Sequence, residues 1–179
     1  MFRNARFQAN PLPPAQMQIL NQANRFIAAG QPGQAAPLFA KLASTMEASN
    51  HPRRAANLHA QAAHAFADSN NEASALMHAT AALTLFIQNQ MVGRTPVFYA
   101  NITRKLNNKG MKNAVEALAK EFGSKVGSLP APGQPAAGKR GLLPTNCPKC
   151  GGPIHGDDAN WVDANTIECD YCGVMIRAE

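Results

Sequence analysis

Aromatic side chains are scarce in this sequence: Phe, Tyr and Trp make up 6% of 179 residues, with a single Trp. That excludes a large aromatic core, and the Ala-rich apolar content predicts helices packed at close range. Long apolar runs are missing as well. The nearest, "ATAALTLFI" at 79–87, is far shorter than the roughly 18 residues of a membrane-spanning helix. No membrane association is expected. The opening "MFRNARFQANPLPPAQ" lacks the apolar stretch and small-residue cleavage site of a secretion signal, so the expected location is cytoplasmic.

The arrangements that carry catalysis are also absent. There is no Ser/His/Asp or Cys/His set, no Gly-rich phosphate loop and no carboxylate pair in an apolar context. His51, His59, His64 and His78 make no ligand pattern, since the step from His59 to His64 takes them off one helical face. An enzyme is not expected.

Cysteine is rare too, yet its four copies are tightly placed. Cys147 and Cys150 form one Cys-x-x-Cys pair and Cys169 and Cys172 a second, with the segment 151–168 between them. Each pair is followed by a glycine, Gly151 or Gly173, at the point where such a turn needs a positive φ. Four thiolates on two turns make the tetrahedral sulfur set that zinc prefers, and a reducing cytoplasm keeps them from pairing as disulfides. Between the pairs, Trp161-Val162 and Thr166-Ile167 are short β-prone runs around a turn, and "VMIR" at 174–177 can add a third strand.

These residues, over 145–179, resemble a zinc ribbon, in which two cysteine knuckles clamp one ion. The resemblance implies a small β domain with one structural zinc held by Cys147, Cys150, Cys169 and Cys172. So short a segment buries little core, and the metal would supply most of that domain's folding free energy. Four sulfurs leave no place for His155 and no open position for hydrolysis. Iron held as in rubredoxin would need more shielding aromatics than Trp161 and Tyr171, and the eight-ligand pattern of a RING domain is absent.

Charge is distributed unevenly. The net +6 divides into +4 over 1–94, +6 over 95–142 and −4 over 143–179. The ribbon segment carries Asp157, Asp158, Asp163, Glu168, Asp170 and Glu179 against Lys149 and Arg177, and should repel a phosphate backbone. The basic candidates for nucleic acid are Arg104, Lys105, Lys109 and Lys112, with Lys120 and Lys125 beyond them. From Arg104 to Lys112 no aromatic is interleaved to stack on bases. Trp161, with Ile154 and Val162 nearby, is either the hairpin's small core or a protein-contact hot spot.

Upstream, the helical pattern and its punctuation predict helices near 14–29, 34–48, 52–68, 70–90, 96–108 and 111–126. Pro32, Pro52 and Pro96 suit first helical positions, Thr95 a cap before Pro96, and "SNNE" at 69–72 a capping box. The helices pair around turns at Gly30, Asn70 and Gly110, which are evenly spaced, with small and large apolar residues at matching offsets. Ala23, Phe26, Ala35, Phe39 and Leu42 carry that pattern around the first turn, and Ala63, Phe66, Ala75, Ala79 and Ala82 around the second.

This spacing resembles a short tetratricopeptide-like array, although that family's period of about 34 residues is shorter than the interval seen here. A plain antiparallel helical bundle remains the alternative. The chain therefore divides into a flexible arm at 1–14, a helical domain at 15–126, a Pro/Gly-rich linker at 127–144 and the ribbon at 145–179. The expected function is a non-enzymatic adaptor whose helical domain and flexibly tethered ribbon each contact a protein partner. The alternatives are a nucleic-acid-associated factor acting through 104–125, and a ubiquitin-ligase-type adaptor recruiting a conjugating enzyme through the zinc domain.

Overall fold

The computed structural model describes residues 11–129, 141–154, 159–163 and 165–178. Most of the expected arm and linker, His155, and Asp157 and Asp158 lie outside these residues. Six helices make up the first part: α1 Pro14–Ala28, α2 Pro32–Ala48, α3 Pro52–Asp68, α4 Glu72–Gln88, α5 Arg94–Asn108 and α6 Lys112–Gly127. Connections this short force consecutive helices to run antiparallel, and each packs against the next. Contacts of α3 with α5 and of α4 with α6 stack the pairs into two layers.

Each of the first five helices ends in the same way. Gly30, Asn50, Asn70, Gln90 and Gly110 take φ between 55° and 75°, and the chain turns there. One position later a backbone N–H reaches back to the carbonyl of Phe26, Met46, Phe66, Phe86 or Leu106 at 2.8–2.9 Å. This is the six-to-one bond of a Schellman motif, and it satisfies a carbonyl the helix leaves unpaired. The five turns are evenly spaced, so the interval from Gly30 to Asn70 holds two equivalent helices. Asn50 and Gln90 hide the shorter period because neither is the glycine that marks such turns.

Helix starts differ in detail from the sequence expectation. Pro32 and Pro52 do occupy first-turn positions. α5 begins earlier than Pro96, at Arg94, and Thr95 lies inside it with Oγ1 bonded to the Met91 carbonyl at 2.9 Å. Residues 69–72 form no capping box. Ser69 closes α3 and Asn71 caps α4, accepting the Ser74 N–H at 3.1 Å. Glu72 instead accepts the N–H of Ala114 at 2.9 Å and so caps α6, which has no cap of its own.

Alanines fill the interior, as expected. Ala55, Ala56, Ala62, Ala63, Ala65 and Ala67 are fully buried on α3, which packs against helices on several sides. Two apolar clusters result. One runs through α3 to α6 and includes Leu83, Phe86, Ile102, Leu118 and Phe122. The other joins Leu20, Phe39, Leu42 and Leu58 of the first three helices to Ile167, Tyr171, Ile176 and all four cysteines.

The C-terminal part carries an antiparallel sheet in the order β1-β2-β3, with β1 Asn160–Asp163, β2 Thr166–Glu168 and β3 Met175–Arg177. Trp161 pairs with Ile167 and Ile167 with Ile176, which aligns the two buried isoleucines across β2 and β3. The third strand expected from 174–177 is therefore present. The second cysteine pair lies in the turn between β2 and β3. The first lies in a smaller loop closed by a bridge between Asn146 and Pro153.

Candidate metal centre

Both cysteine turns are built alike. In the first, Cys147 N–H bonds the Gly152 carbonyl and Gly151 N–H the Cys147 carbonyl; in the second, Cys169 bonds Val174 and Gly173 bonds Cys169 in the same way. Gly151 and Gly173 have φ of 72° and 71°, the left-handed conformation expected from the sequence. Gly152 has a different reason to be glycine. A Cβ there would lie 2.7 Å from Cδ2 of Tyr171, whose ring covers the first turn.

The two turns bring four sulfurs together. All lie within 4.8 Å of one another and all four cysteines are buried. Cys147 Sγ is 3.7 Å from Cys172 Sγ, and Cys150 Sγ is 3.8 Å from Cys169 Sγ. These separations are too long for disulfides and match a tetrahedral metal site: metal–sulfur bonds of about 2.3 Å put the sulfurs about 3.8 Å apart. The residues thus fit a tetrathiolate ion. Cys147 is held well below the ordinary thiol range by hydrogen bonds from Cys150, Cys169 and Cys172, while the mutual contacts push Cys150 well above it. Four such thiols cannot all ionise without a cation among them.

The centre sits against the helices. Arg54 of α3 bonds Glu168 at 3.0 Å, and Arg94 at the start of α5 bonds Asp170 at 2.6 Å. Both arginine side chains are 11% exposed. Asn24 of α1 donates to the Cys150 carbonyl at 2.5 Å, Gln61 to the Tyr171 hydroxyl at 3.0 Å, and Leu12 N–H to the Cys172 carbonyl at 3.0 Å. Among the described residues, the polar contacts from the helices to the cysteine turns come from α1, α3 and α5. The cysteine module thus sits against α1, α3 and the start of α5. Burial raises the Tyr171 hydroxyl above its ordinary range despite Arg94 nearby.

No match was found. Neither protein-family models, curated proteins nor solved structures resemble this chain closely enough to count.

The other residues singled out in the sequence are not gathered into one site. Ile154 is half-buried against the core that the cysteine turns share with α1 to α3. Trp161 and Val162 lie on β1, and their side chains are outside the described ones. Lys105 pairs with Asp68 at 2.6 Å, and Lys109 donates to the Asp68 carbonyl at 3.3 Å. Arg104 is exposed and bonds Asn101, while Lys112 is exposed at the start of α6.

One cluster escaped sequence reasoning. His59 of α3 and His78 of α4 are both buried, with Nδ1 atoms 2.8 Å apart, and Phe66 stacks on His78. Glu47 of α2 lies 3.4 Å from the far nitrogen of His59, within ion-pair reach but without hydrogen-bond geometry. Burial holds both imidazoles below their usual range, His78 at about 4. The two histidines stand almost one helix-to-helix interval apart along the chain, and that interval is the one signal that would have found them.

Proposed function

We propose that this protein is a non-enzymatic adaptor for protein–protein contact: a tetratricopeptide-like helical array bearing a zinc ribbon with one structural zinc. The observation that carries this reading is the closed set of four buried sulfurs at tetrahedral spacing. Such a set supplies a cross-link between two turns and leaves no coordination position for substrate. Zinc is the ion of choice because it takes tetrahedral sulfur and undergoes no redox change.

The adaptor role is supported by the polar surface of α3 and the start of α5, which already recognises an acidic turn through Arg54 and Arg94. A cytoplasmic location agrees with four free cysteines, which persist where thiols are kept reduced. No described helix is long and apolar enough to cross a membrane. Lys105 and Lys109 are engaged with Asp68, so the nucleic-acid alternative rests on Arg104, Lys112, Lys120 and Lys125, all exposed. No observation favours recruitment of a conjugating enzyme.

Elemental analysis of the purified full-length chain tests the centre: one zinc per chain, a colourless protein, and loss of the ion in Cys172→Ser. A red protein or a metal-free chain overturns that part. Crosslinking in the native cell tests the adaptor, with Trp161→Ala as control. A protein partner lost in that variant while zinc is retained supports contact through the ribbon. No protein partner in either form counts against the adaptor.

A further inference from the structure

The contacts that hold the cysteine module on the helices fall on the cysteine turns themselves. Glu168 and Asp170 flank Cys169, Tyr171 precedes Cys172, and the Cys150 and Cys172 carbonyls belong to ligand residues. The shape of these turns depends on the four sulfurs being drawn to one point. The opposing surface is a different matter, because Arg54, Asn57 and Gln61 are carried on one helix and Arg94 begins another. Arg94 also bonds the Asn57 side chain, which in turn donates to the Asp170 carbonyl at 3.4 Å. The helical side of the interface is therefore preformed, and the module side depends on the metal.

We infer that the cysteine module is a metal-dependent latch over an acidic-peptide site, with Glu168 and Asp170 occupying the place of a partner's two carboxylates. This rests on the proposed metal centre and adds the chemistry of the partner. Two arginines buried to 11% exposure require anions, since an unpaired charge in such a place is costly. Here the anions alternate with Cys169 in sequence, so the matching ligand is a peptide segment with Asp or Glu at i and i+2. When the ion leaves, the four thiolates take up protons from solvent and the turns lose their common centre. Arg54 and Arg94 then become available together.

The packing leaves a place for exchange to begin. A cavity of about 340 Å³ lies beside the second turn, lined among others by Arg53, Arg54, Asn89, Glu168 and Asp170. An incoming carboxylate entering there meets Arg54 before the module has left.

The test uses the full chain and a labelled peptide, TIESDYSG, which repeats 166–173 with Ser for Cys; TIQSNYSG is its uncharged control. The double variant Glu168→Gln, Asp170→Asn keeps all four cysteines and weakens only the latch. It should retain one metal per chain, show a larger radius of gyration by small-angle scattering, and bind TIESDYSG at least about tenfold more tightly than wild type. Chelator-treated wild type should bind it similarly, and adding Arg54→Ala and Arg94→Ala to the double variant should abolish binding. The inference is overturned by an unchanged radius, by equal binding of the two peptides, or by binding that survives loss of both arginines. Preference for an RNA oligomer over the peptide overturns it as well. A wild-type chain without metal sinks the metal centre itself, whereas one metal per chain with no peptide binding sinks the latch alone.

Discussion

Single positions in this chain are constrained by contacts that residue type alone does not announce. Gly152 is one: its missing side chain makes room for the Tyr171 ring, and a Cβ would sit at 2.7 Å from it. Gly152→Ala should lower stability by about 1–3 kcal/mol by chemical denaturation, because a buried ring cannot step aside freely. His64 is another. It is half-buried with its shielded Nδ1 unpaired, lies edge-on to Phe98, and desolvation holds it at about 4. Its folded pKa lies below the unfolded value near 6.5, so the unfolded chain binds more protons in between. Stability is therefore full above about pH 6.5 and is lost as the pH falls towards 4. The part due to His64 should be on the order of 1–3 kcal/mol. Urea midpoints measured across that range should fall less steeply in His64→Leu than in wild type.

At the scale of the element, the repeated helix ending matters more than any one helix. Gln90 occupies a left-handed turn at φ 55°, where Gly30 and Gly110 occupy equivalent turns. A side chain there costs about 1 kcal/mol, so Gln90→Gly should stabilise the chain by roughly 0.5–1 kcal/mol in thermal unfolding despite the added freedom of glycine. Gly110→Ala should destabilise it by a similar amount. The helices were legible because proline starts, glycine turns and apolar spacing agree with one another. Their caps were less legible. Asn71 and Ser69 stand close enough for either to cap α4, and the backbone path chose Asn71. Glu72 caps a helix far along the chain, which no local pattern encodes.

Across the whole molecule, the main departure from the sequence reading is that the cysteine module is docked and shares a core with the first helices. The sequence predicts a ribbon on a flexible tether. Leu12, which the sequence assigns to the arm, is buried, and its N–H bonds the Cys172 carbonyl. Removing the metal from wild type should then loosen α1 and α2 as well as 145–179, while α3, which also packs in the other cluster through Ala56, Ala63 and Ala67, keeps Arg54 in place. Hydrogen exchange should quicken at amides of α1 and α2, whereas α5 and α6, which belong to the other cluster, should change little. Exchange confined to 145–179 would show that the docked contact contributes little to the helices.

The sequence by itself determined the six helices, the two paired cysteine turns with their glycines, and the acidic character of the C-terminal segment. All of these follow from short-range rules: helix periodicity, turn conformations that favour glycine, and residue charge. Only the tertiary structure decided which cations meet those acids. Arg54 and Arg94 hold Glu168 and Asp170, while Lys105, in the basic run that stands out by charge alone, turns to Asp68. The His59–His78 pair arose in the same way. Partners as distant in the chain as Arg54 and Glu168 are chosen by which helix faces the folded array presents together. That choice depends on packing of alanine-lined helices, and charge counted along a chain carries no record of it.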